Sequence, residues 1–151
     1  MKKFAFSLQS VYEYKQTVEK TQKAELSRAE AALRLLREQE RALDEAFERN
    51  REERDEILTK RFDVVSELEK YDAFFRRLRE EKEELLIKIQ HAENVKARCQ
   101  ENLIITMKEL KTYTKLRDEQ YQQYLKAVAA EEEKEIGDIV SFSVATEKEA
   151  E

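Results

Sequence analysis

From Leu26, alternating steps of three and four residues reach Ala29, Leu33, Leu36, Glu40, Leu43, Phe47, Asn50, Arg54, Ile57, Arg61, Val64, Leu68, Tyr71, Phe75 and Leu78. The same phase continues through Lys82, Leu85, Ile89, Ala92, Lys96, Cys99, Leu103, Thr106, Leu110 and Tyr113. Most of these positions are apolar, and little beyond them is. A stripe of this width is the seam of a coiled coil, because a repeat of about 3.5 residues keeps one narrow face turned toward a partner helix. Such helices pair along their length and cannot surround a thick core.

The remaining residues agree. The 151-residue chain has no proline and one glycine, so turn chemistry is almost absent and few turns are expected. Charged residues make up 42% and hydrophobic residues 40%, the mixture of long helices and coiled coils. The expected class is all-α.

A continuous helix over this stripe would be roughly 190 Å long and would need a second chain along its whole seam. The alternative is a turn within "LTKRFDVVSELEKYDAFF", residues 58–75. There Phe62, Asp63 and the β-branched Thr59, Val64 and Val65 are middling or poor helix formers. Ser66, with Glu69 three residues on, has the spacing of a capping box for a new helix. These signals predict an antiparallel two-helix coiled-coil hairpin within residues 1–137, with arm one over about 7–59, a turn over about 60–65 and arm two over about 66–136. Leu36 and Leu43 would then face the region of Ile89 and Leu85, in one of two registers a heptad apart. Asn50, Arg54 and Arg61 interrupt the seam with polar side chains. Such residues can fix register at a cost in packing, but the simpler expectation is solvated surface on a locally loose coil where the helices splay.

At the start, Ser7 is placed to cap arm one and Phe6 to staple onto Val11. Phe4, Phe6, Leu8, Val11 and Tyr12 form an apolar end, expected to pack mostly on Tyr121, Tyr124, Leu125 and Val128. Gly137 after "EEEKEI" reads as a helix stop, leaving 138–151 as a mobile, disordered acidic tail.

Catalytic chemistry finds little support. His91 is the only histidine and lacks neighbours at ligand spacing, so no metal site is expected. The single cysteine, Cys99, falls on the seam as a small apolar residue and fits a reducing compartment. There is no phosphate-binding glycine loop and no nucleophile paired with a base, so neither a cofactor nor an enzyme activity is expected. The net charge of -5, with both signs interspersed, offers no basic stripe for nucleic acid. "MKKFAFSLQS" lacks the apolar core of a signal peptide, and no stretch is long and apolar enough to span a bilayer. The expectation is a cytoplasmic protein that meets a membrane only through partners. It would act through its surfaces, and Tyr71, Phe74, Phe75 and Leu78 after the turn, with Phe47 on the facing stretch of the first arm, form a candidate docking patch.

"FAFSLQSVYEY", "ELEKYDAFFRRL" and "LRDEQYQQYLKAVAAEEEKEIGDIV" together resemble the bacterial flagellar export protein FliJ family, over nearly the whole chain. The resemblance implies a non-enzymatic, chaperone-like stalk of the flagellar type III protein export apparatus. It would be peripheral on the cytoplasmic side of the cell membrane at the flagellar base. The implied partners are the export ATPase hexamer, which the ends of the hairpin enter, the cytoplasmic domain of the export gate protein, and export chaperones. The family's binding positions after the turn map onto Tyr71, Phe74 and Leu78, with Phe47 a looser match; Phe4 and Phe6 belong to the end facing the ring. Here "EIGDI" at 135–139 and an acidic tail depart from the family's usual second-helix end. The alternative reading is a coiled-coil scaffold forming an extended homodimer.

Overall fold

A computed structural model of the chain describes residues 2–60 and 65–150. Two helices, α1 (Gln9–Lys60) and α2 (Val65–Ala150), form a hairpin, with no strand among the described residues. The charges at the helix ends suit the helix dipoles: Lys60 lies in the last turn of α1, Glu67 in the first of α2 and Lys148 in its last. The expected turn over about 60–65 has its centre, Arg61–Val64, outside the described residues; Lys60 and Val65 on either side are helical.

The chain divides into two compact units, Lys20–Ile104 and Met1–Glu19 with Ile105–Glu151. Within the Lys20–Ile104 unit, Leu33, Leu85 and Ile89 form a buried cluster, against which Leu36, Leu43 and Ala92 pack. The pairing runs antiparallel: Arg37 meets Glu93 at 2.9 Å, Asp44 meets Lys82 at 2.6 Å, and Phe47 meets Phe75. This order matches the register in which Leu36 lies by Ile89, rather than the neighbouring one that would bring Leu43 there.

Within the other unit the same logic holds. Lys15 Nζ lies 2.6 Å from Glu109, Tyr12 and Thr114 hydroxyls are 3.5 Å apart, and Ser7 reaches Gln120. Phe6, Thr106 and Leu110 are buried there.

Every described position of the 3,4 stripe from Leu26 to Tyr113 is buried or half-buried. Among the described residues no large side chain falls below 2% exposure, as expected when only two helices cover one another. Of the polar seam residues, Asn50 donates from Nδ2 to the Ala46 carbonyl at 2.7 Å, and the Arg54 guanidinium covers the Phe75 ring at 5.1 Å. Asn50 is thus met by backbone and the Arg54 guanidinium by an aromatic face and, at 3.6 Å, by Asp55, while Arg54 Nε is buried with no hydrogen-bond partner among the described residues. Arg61 lies outside the described residues.

Three local expectations change. Ser7 does not cap α1: the first α-helical bond runs from the Tyr12 amide to the Leu8 carbonyl, while Ser7 hydrogen-bonds Gln120 across the pair. Phe6 meets the Tyr12 ring edge-on at 6.3 Å, whereas Val11 stays 39% exposed, so the staple is aromatic. Ser66 lies inside α2, which includes Val65, so it is not the flanking residue of a capping box.

The disordered tail is not supported either. α2 continues through Gly137 to Ala150. Gly137 has no positive φ, and nothing lies within 4 Å of where its Cβ would stand. A glycine ends a helix when the chain must enter the left-handed region, and here it does not. Inside a helix it costs only about 1 kcal/mol relative to alanine, and no proline enforces a stop.

Candidate partner-docking surfaces

Within the Lys20–Ile104 unit, Tyr71, Phe74 and Phe75 of α2 and Phe47 of α1 build an aromatic cluster from both helices. Phe75 is its centre, 3% exposed. The Phe47 ring lies 4.9 Å away, Tyr71 stacks at 6.3 Å and Phe74 meets it edge-on at 6.2 Å. The spacing explains the arrangement. Tyr71, Phe75 and Leu78 follow the seam, and Phe74, one residue out of phase, is turned to its flank.

That flank is open. Tyr71, Phe74 and Ile57 line a groove with Asn50, Lys60 and Lys70. Burial pushes the Tyr71 phenol above its ordinary range, and the carboxylates of Glu53 and Glu67 push it further up. The Tyr71 hydroxyl donates to the Glu53 carboxylate, which ties the ring's polar edge down within the unit and leaves its face toward the groove. Of the candidate residues, Phe47, Tyr71 and Phe74 are half-buried and reachable, whereas Leu78 is 7% exposed and lies beside Phe47. Phe75 and Arg54 complete the cluster. Arg54 stood in the sequence as a polar break in the seam, and its proximity to Phe75 becomes visible only when the two helices are paired.

Within the other unit, the chain before α1 carries the second set. Phe4 packs between Tyr121 and Tyr124, at 5.1 and 5.5 Å, and the Tyr124 hydroxyl donates to the Lys2 carbonyl at 3.0 Å. Phe4 keeps an exposed edge, while Phe6 is buried at 7%. These contacts follow the expected packing on Tyr121 and Tyr124, and Tyr121 stays 43% exposed beside Phe4.

Residues of reactive type are scattered. His91 is exposed and Cys99 half-buried on the seam. Among the described residues, no three His, Cys, Asp or Glu side chains gather as a metal site. No described helix is long and apolar enough to cross a membrane.

One feature escaped the sequence reading. Beyond Glu131 every described residue of α2 is exposed, including Ile136, Ile139, Val140, Phe142 and Val144. The signal was present as steps of three and four between Ile136, Ile139, Val140 and Val144. Reading Gly137 as a helix stop hid it.

Comparison with known families gives one result: the family described as flagellar FliJ protein matches residues 4–149. No curated protein and no solved structure matches the chain.

Proposed function

Because the chain belongs to the flagellar FliJ family, and is therefore a flagellar export component, we propose that it is the non-catalytic stalk of that apparatus. In this reading it binds the export ATPase ring and the cytoplasmic domain of the export gate, receives export chaperones, and sits at the cytoplasmic face of the flagellar base through these partners. The family match over nearly the whole chain is the observation that carries it.

The geometry supports a division of labour between the two aromatic sets. Half-exposed aromatic side chains held by a buried neighbour are suited to partner docking, since their conformational entropy is already restricted. Phe47, Tyr71 and Phe74, backed by Phe75 and with Leu78 beside Phe47, are assigned to the gate. Phe4, with Phe6 anchoring it, and the neighbouring Tyr121 are assigned to the ATPase ring. An extended homodimer has less support, because the described seam positions are already covered within one chain.

The direct test is export ATPase activity against added protein. Stimulation by the full chain, reduced in Phe4→Ala, supports the assignment; an ATPase indifferent to the full chain overturns it.

A further inference from the structure

The last turns of α2 present an apolar face with no cover from their own unit. Ile136, Ile139, Val140, Phe142 and Val144 are 61%, 65%, 55%, 71% and 47% exposed. At helical spacing Ile136, Ile139 and Val140 share one face, widened by Phe142 on one side and Val144 on the other. The face continues toward the paired part of the unit through Ala129, Leu125 and Tyr121, and the last two are 40% and 43% exposed.

The composition of this stretch is unsuited to a helix that stands alone in water. Gly137, Ser141, Ser143, Thr146 and four β-branched apolar residues between 136 and 144 are weak helix formers. Isolated helices of this length are marginal even for better sequences. A surface that buries the face would supply the missing stabilisation.

The charges select the surface. Residues 131–150 carry seven carboxylates (Glu131, Glu132, Glu133, Glu135, Asp138, Glu147 and Glu149) against Lys134 and Lys148. Seven against two gives a formal -5, equal to that of the entire 151-residue chain. The net negative charge of the protein is thus concentrated around this one apolar face. A second copy of the helix, an anionic lipid surface and a nucleic acid would all bring like charge against it.

We propose that Ile136–Val144 of α2 is a docking helix for a partner protein that offers an apolar groove rimmed by Lys or Arg. Apolar contact would provide the hold, and the carboxylates would provide orientation and choice of partner.

The probe is a synthetic amphipathic Leu/Lys helical peptide, titrated into the full chain and followed by fluorescence anisotropy. Binding should weaken with added salt and fall by roughly a hundredfold in an Ile139→Ser, Phe142→Ser double variant, since each lost anchor is worth about tenfold or more. That variant keeps every charge. Ile87→Ser, which alters a 72% exposed apolar residue of the other unit, should bind as the parent does. Thermal melting confirms that both variants fold, as expected for exposed positions. Absence of parent binding, or equal binding by the double variant, overturns the proposal. So does parallel loss in Ile87→Ser. Sedimentation showing self-association that the double variant abolishes would assign the face to a second copy instead, and stripe-dependent binding to phosphatidylglycerol vesicles would assign it to lipid. The family-based reading rests on the match over residues 4–149 and is tested through Phe4 and Phe74, which neither variant alters, so it survives any of these failures.

Discussion

The rings of Phe47 and Phe75 lie 4.9 Å apart with their planes tilted by 58°, one from each helix of the Lys20–Ile104 unit. This contact joins the two roles of that unit. It closes the seam, and it backs the half-exposed aromatic residues assigned to a partner.

Phe75→Ala should therefore destabilise the chain by about 3 kcal/mol, the lower end for losing a buried phenylalanine, because two helices can partly collapse on the gap. Phe74→Ala should leave the melting temperature nearly unchanged, since its ring lies on the flank. Chemical denaturation of both variants checks this, and equal losses would contradict the separation of seam from flank.

The register makes a geometric prediction. With Cys99→Ser removing the native thiol, Leu36→Cys and Ile89→Cys should form a cross-link within one chain in dilute protein. Leu43→Cys with Ile89→Cys should do so poorly, since Arg37–Glu93 and Asp44–Lys82 place Leu43 beyond Ile89. Electrophoresis of the oxidised proteins distinguishes the two.

Alkaline pH should weaken the fold. Hydrogen bonding to Asp44 raises the Lys82 ammonium above its usual 10.5, and Glu109 does the same for Lys15. The folded state then holds these protons more tightly than the unfolded one. Their contribution is complete below about pH 10.5 and is lost as pH rises through the raised values. Tyr71, also raised, acts in the same direction. The Lys82 contribution is at most about 1 kcal/mol, because both partners are solvent-screened. Denaturation at pH 7 and pH 11, for the parent and Lys82→Met, should show a smaller alkaline loss in the variant.

Gly137→Ala should increase helicity. The site has helical backbone and open space around the absent Cβ, and the exchange favours the helix by about 1 kcal/mol. Circular dichroism and amide exchange over 131–150 report it. No change would indicate that this stretch is not helical in solution.

How much of this was legible in the sequence follows from what each signal depends on. The seam was legible because burial in a two-helix coil depends only on period, and each described position from Leu26 to Tyr113 obeys it. The aromatic cluster was legible for Tyr71, Phe74 and Leu78, which share one helix, and less so for Arg54 over Phe75, which requires the pairing. Ser7 misled because a hydroxyl at a helix start can bond across the pair as well as to its own amides, and Gln120 was in reach. Gly137 misled because a glycine marks a stop only when the backbone turns left-handed.

The central claim is that this chain works by binding, through Phe47, Tyr71 and Phe74 on one side of its function and Phe4 on the other. The most direct measurement is the affinity of the parent chain and of Phe74→Ala for the purified export-gate cytoplasmic domain and, separately, for the export ATPase. The account predicts that the parent binds both, and that Phe74→Ala loses at least about tenfold toward the gate while keeping the ATPase. A parent chain that binds neither, or a Phe74→Ala chain that loses both together, would contradict it.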